Sequence, residues 1–312
     1  MQKKTPMPKT LRRRNRFLDS ERTIAVLFLA PALLFMLIFC VYPILYNFVM
    51  GFQNMSMMNL RRHNYTFIGL QNYVDLFQDK TGVFPRAILN TFRYTIWSIV
   101  FQFILGFAIA LLFAKRFPGA GPMRALLMLA WLLPATVTGL LGKYMFSTNG
   151  IINTFLVSLG LIESNVGWLV EKSTSLTTAI LVNIWKGMPY NMMLLTTGLI
   201  NIPSEVYESA SMDGAGAWKR FLHITLPLMK PTMATVLVLG FINTFKVFDL
   251  IYVLTGGGPV QSSEVLASVA YRYSFTSGNF SQGAAAANVL FVILLAVSFI
   301  YLRFVQTDTE VM

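Results

Sequence analysis

The sequence predicts an all-α integral membrane protein with six transmembrane helices. Three observations carry that expectation. The 312 residues are 55% apolar and only 12% charged, which sets the chain apart from water-soluble globular proteins. Residues 23–50 hold no charged side chain over a length that crosses a hydrocarbon core of about 30 Å. Finally, the basic residues are unevenly placed around the apolar runs, as they are in multi-pass proteins. No stretch remains over for a soluble catalytic domain.

Taken in order, residues 1–22 form a basic N-terminal segment carrying Lys3, Lys4, Lys9, Arg12, Arg13, Arg14, Arg16 and Arg22. Such a leader retains the N-terminus in the cytoplasm, and it can also grip anionic membrane lipid. The net charge of +12 is therefore no sign of nucleic-acid binding, since no aromatic-interleaved basic patch or recognisable module accompanies it. The first span, 23–50, is too long for the apolar part of a cleaved signal peptide and lacks a small-residue cleavage pattern. The single cysteine, Cys40, lies inside it and has no intrachain partner.

Residues 51–89 read as a mixed, polar outer loop. The second span, 90–114, repeats Gly106, Ala110 and Ala114 at every fourth position, a stripe on which another helix can pack closely. The third span is expected at 123–146, followed by a short amphipathic helix within 150–160 lying on the outer face. The fourth, 176–201, contains Asn183, Trp185, Lys186, Gly187, Pro189, Tyr190 and Asn191. Polar groups at that depth face protein or a watery cavity, and Gly187 with Pro189 should weaken the helix there. The fifth, 232–254, offers Asn243 and Thr244 near its midpoint, with Lys246 and Asp249 spaced to neutralise each other on one helix face. Thr255–Pro259 reads as a flexible turn. The sixth span, 283–305, precedes a short tail, 306–312.

With spans so placed, Lys115, Arg116, Arg124, Lys219, Arg220, Lys230 and Arg303 fall on the leader's side. They and the leader outnumber the outer cations Arg61, Arg62, Lys80, Arg86, Arg93, Lys143, Lys172 and Arg272, so both termini are expected in the cytoplasm.

The loop 202–231 interrupts the apolar pattern. Pro203 and Ser204 start a short helix, and Glu205 and Glu208 sit near its positive end. Asp213-Gly214 stops it. A second helix follows with Trp218, Phe221 and Leu222 on one face, and Leu226-Pro227 is expected to end that helix. The product is a slim helix–turn–helix knob joined to a span on either side.

Within the knob, Glu208, Ala210, Asp213, Gly214, Ile224, Leu226 and Pro227 stand at the spacing E-x-A-x-x-D-G-x9-I-x-L-P. This resembles the "EAA" loop of the membrane subunits of ATP-binding-cassette (ABC) importers, with Ser209 in place of the usual alanine. Span count, loop order and the stretch Val247–Pro259 extend the resemblance to the whole chain. It looks like the first permease subunit of carbohydrate importers of the maltose and glycerol-3-phosphate type. It differs from the maltose subunit in having no extra N-terminal spans and no large inserted outer domain.

The resemblance implies a type I importer permease fold in a bacterial or archaeal cytoplasmic membrane. It also implies a second permease subunit, an ATPase dimer carrying ATP and Mg, an extracytoplasmic solute-binding protein, and no cofactor or catalytic site on this chain. Glu208, Ser209, Ala210, Asp213 and Gly214 would couple to the ATPase. Asn183, Gly187, Asn243 and Thr244 match positions that line the sugar path, as does Trp131 if a one-residue gap is allowed. Lys186 stays open between an anionic solute, a carboxylate of the second permease and an outward-reaching role. An ion-driven carrier would need intramembrane carboxylates, and Asp249 is the one acidic residue in a predicted span. A membrane enzyme fits less well, because His63 and His223 fall on opposite sides and no catalytic cluster appears.

Overall fold

The computed structural model describes residues 21–115 and 117–309. Among them every regular element is helical, and β pairing is limited to isolated bridges at Gln53–Phe67 and Ser56–Asn279. The chain divides into two compact units, one ending at Met50 and one beginning at Gly51. In the first, α1 (Glu21–Met36) passes through a wide π-helical turn, Leu37–Val41, into α2 (Tyr42–Gly51). Ala25–Gly51 forms a 27-residue apolar run with a mean hydropathy of 2.6, long enough to span. The basic residues Lys3 to Arg16 lie outside the described residues.

The second unit opens with two short helices, α3 (Met57–Arg61) and α4 (Gln71–Phe77). Asn72 pins this segment, donating from Nδ2 to the carbonyls of Gly51 and Gln53 at 2.9 and 2.8 Å. The central element is α5 (Val83–Phe113), 31 residues long. It is followed by α6 (Ala120–Leu132), α7 (Ala135–Met145) and α8 (Ile151–Ser158), the helix expected within 150–160. Next come α9 (Ser175–Ile200), α10 (Ser204–Met212), α11 (Ala217–Arg220) and α12 (Leu226–Phe245). The chain closes with α13 (Asp249–Leu254), α14 (Leu266–Tyr271) and α15 (Phe280–Thr309).

Helix α5 threads the buried packing from end to end. Phe84 and Ala87 meet Leu266, Val269 and Ala285 at one end, and Tyr94 meets Ala179 and Ile251 further along. Phe107, Ala110 and Phe113 pack on Met192, Leu195 and Leu199 of α9 at the other. The small-residue stripe at Gly106 and Ala110 therefore faces α9. In lipid, such close packing and interior hydrogen bonds stand in for the missing hydrophobic drive between helices.

Several expectations need correction. Length and apolarity together mark four spans among the described residues, or five when α6 and α7 count as one, rather than six. Helix α9 has the length, at 26 residues, but its polar side chains dilute its apolar character. The third span is not continuous: α6 and α7 meet at 95°. Leu133 before Pro134 takes an extended conformation (φ −64°, ψ 134°), as a residue preceding proline prefers. The expected weakness of α9 at Gly187-Pro189 does not appear, since the helix runs through both. The break falls instead at 246–248, between α12 and α13. It separates Lys246 from Asp249, and no ion pair joins them among the described residues, because i, i+3 pairing presupposes an unbroken helix.

Nor does Pro227 end a helix. Ala217–Phe245 runs on for 29 residues, with a π-helical turn at Phe221–Thr225 taking up the strain just ahead of the proline. Thr255–Pro259 is held rather than loose. Ser263 is buried and its hydroxyl bonds both the Gly258 carbonyl and the Thr255 hydroxyl, the latter at 2.8 Å.

Candidate functional site

A cavity of about 490 Å³ lies where α9 passes the two helix breaks. Asn183, Gly187, Asn243, Thr244 and Trp131 all line it, although they come from three separate elements. Trp131 ends α6 beside the bend at Pro134. Asn243 and Thr244 end α12 beside the break at 246–248. Irregular backbone at this depth is tolerated where it borders a cavity, and both interruptions do so.

Helix α9 continues through Gly187 and Pro189, and side-chain amides add hydrogen bonds to its backbone there. Gln102 of α5 donates from Nε2 to the Asn183 carbonyl at 2.9 Å and accepts at Oε1 from Asn191 Nδ2 at 3.3 Å. Asn191 also donates to the Gly187 carbonyl at 3.1 Å. A Cβ on Gly187 would stand 2.5 Å from the Gln102 amide, so the glycine is what admits this side chain. Asn183 Nδ2 is left buried with no partner among the described residues.

Trp131 stacks on Tyr190 with ring centroids 5.1 Å apart and planes 10° from parallel. Their faces form a flat aromatic surface beside the amides of Asn183, Asn243 and Gln102. Lys186, Lys246 and Asp249 add two cations and one carboxylate to the same lining. Gln102 is a member that sequence reasoning missed, and Tyr190 was noted in the fourth span without being assigned to the path. Gln102 was visible as an amide in an apolar run, but its partner lies 81 positions away.

The second candidate is the knob. Glu208 and Ser209 are exposed on α10, and Ala210 is half-buried. Asp213 ends the helix, and Gly214 takes φ +79°. The Gly214 amide donates to the Ser211 carbonyl at 3.1 Å and the Ala215 amide to the Ala210 carbonyl at 2.9 Å, a Schellman stop. The helix start differs in detail from expectation: Pro203 holds the cap position and Ser204 is the first helical residue, with no side-chain cap bond.

Two side-chain bonds fasten α10 to the helix beyond. The Arg220 guanidinium donates to the Ser211 hydroxyl at 2.6 Å, and the Tyr207 and Thr225 hydroxyls meet at 3.0 Å. Trp218 stacks on Phe221 at 5.6 Å, and Phe221 lies 6.0 Å from Phe107 of α5. The knob is thus tied into the span packing while Glu208, Met212 and Trp218 face outward.

Residues 102–307 match the family described as binding-protein-dependent transport system inner membrane component. A probable ABC transporter permease of Bacillus subtilis is 34% identical over 94% of this chain and 99% of its own. The sulfoquinovosyl glycerol transport system permease of Agrobacterium fabrum is 33% identical over 96% of each chain. Among solved structures, a chain of a bacterial ABC transporter that imports the acidic polysaccharide alginate superposes with a TM-score of 0.74. That match has 25% identity and covers 90% of this chain and 95% of the other.

Proposed function

Since the chain belongs to the inner membrane component family of binding-protein-dependent transport systems, we propose that it carries a sugar or related solute past the Asn183–Asn243 cavity, driven by an ATPase seated on the Glu208 knob. It is a multi-pass permease of the type I importer fold, and the ATP-hydrolysing enzyme of such a system is a separate subunit. In this reading it pairs with a second permease, so that each contributes half of the path. An ATPase dimer binds and hydrolyses ATP with Mg, and an extracytoplasmic binding protein delivers the solute. Both termini and the knob face the cytoplasm.

The observation that carries the reading is the convergence of Trp131, Asn183, Gly187, Asn243 and Thr244 on one cavity. Sugars require flat apolar surface for their ring faces and amide or hydroxyl partners for their hydroxyls, and this lining has both. The sulfoquinovosyl glycerol and alginate relatives support a sugar. Two lysines against one carboxylate favour a solute with an anionic group over a cationic one.

Asn243→Ala tests this directly. Loss of one hydrogen bond to the solute, about 0.5–1.5 kcal/mol, should raise the KM for uptake by roughly 2- to 12-fold. Basal ATP hydrolysis by the assembled transporter should remain. Uptake kinetics identical to wild type would remove Asn243 from the path.

A further inference from the structure

A second cleft, of about 980 Å³, lies apart from the solute cavity, where the ends of α5 and α9 meet the start of α6 and the α10–α11 knob. Its walls are apolar at Leu111, Phe117 and Ile200 and basic at Lys115, Arg124 and Arg220. No carboxylate lines it among the described residues. Arg124 donates to the Phe113 carbonyl at 3.1 Å and lies 5.5 Å from the centre of the Phe113 ring. Its Nε is buried and has no partner among the described residues. Lys115 is exposed at the rim. Ser204 also borders the cleft and opens the nine-residue α10, whose free amides add to the positive potential.

Three cations without a counter-charge at the ends of apolar helices stand at headgroup depth. Apolar walls beside them match the chains that hang from such headgroups. We propose that this cleft binds an anionic glycerophospholipid, its phosphate held by Lys115, Arg124 and Arg220 and its acyl chains lying along Leu111, Phe117 and Ile200. The lipid then braces the knob, because Arg220 also bonds Ser211 of α10. The site needs only the membrane character of the chain and not its solute or ATPase.

The test is native mass spectrometry of the tagged chain, purified with whatever subunits accompany it and titrated with phosphatidylglycerol or phosphatidylcholine. Wild type should retain phosphatidylglycerol about tenfold over phosphatidylcholine, and Arg124→Gln should weaken that retention about fivefold. Lys115→Glu, at an exposed position where the fold is not at stake, should weaken it further, and millimolar inorganic phosphate should not displace the lipid. Equal retention of both lipids, or unchanged retention in both variants, would overturn the proposal. So would displacement by inorganic phosphate, which would assign the cleft to a free anion. Loss of another subunit from the variants with lipid retention intact would make the cleft a protein interface instead.

Discussion

Gln102 and Asn183 show how much one polar side chain decides in an apolar setting. Asn183 stood out in the sequence as an amide deep in a predicted span, and its distance from Glu208 matched a path-lining position. Gln102 carried a similar signal without a position to match, since only folding brings α5 against α9. Lys246 and Asp249 show the converse, a local pair that the chain's own helix break undoes. Outside the spans, Glu264 has a testable consequence. Burial pushes its carboxyl above the usual range, against the opposing pulls of the Ser268 hydroxyl and of Arg272 at 3.3 Å. The folded chain therefore holds this proton more tightly than the unfolded chain does. The resulting stability is present below the ordinary carboxylate pKa and is lost as pH rises through the raised value. The thermal midpoint of the purified transporter should fall across that window, and Glu264→Gln should flatten the slope. An unchanged slope in the variant would assign the pH dependence to another group.

Among the elements, long apolar runs were the legible part, and every expected span contains helix. Their interruptions were harder to place, because a proline signals a break without saying which contacts will repair it. Helix α9 runs through Pro189 with Gln102 and Asn191 bonding carbonyls that precede it, Pro227 follows a π-helical turn, and Pro134 lies at a sharp bend. The knob was legible in outline through Asp213-Gly214, and its boundary with the next span was not. Gly214 holds a left-handed conformation that costs an ordinary L residue roughly 1–2 kcal/mol, and a β-branched one strains it most. Gly214→Val should therefore loosen the Schellman stop, lower the thermal midpoint by a few degrees and weaken coupling of solute to ATP hydrolysis. Glu208→Arg leaves the helix intact and reverses the charge it presents. It should cut solute-stimulated ATPase activity tenfold or more, since opposing a partner's charge at a docked surface costs roughly 2–5 kcal/mol. The subunit should stay in the membrane, as fractionation can check, and normal uptake by this variant would sink the coupling role.

At the scale of the whole molecule, the proposed function requires two features on one chain to act together: a cavity between helix breaks and a knob fixed to the same helices. Helix α9 leads from Asn183 to the foot of α10, and α12 leads from Leu226 back to Asn243. In the proposed reading, motion imposed on the knob is therefore delivered to both walls of the cavity. That mechanical link has meaning only if something outside this chain moves the knob. The most direct measurement is to tag the subunit in its native membrane, purify it in mild detergent, and identify by mass spectrometry what accompanies it, with and without crosslinking at Glu208→Cys. The account predicts a second permease and an ATPase, with the ATPase crosslinked to position 208. A chain recovered alone or only with copies of itself, and no ATPase crosslinked, would contradict it.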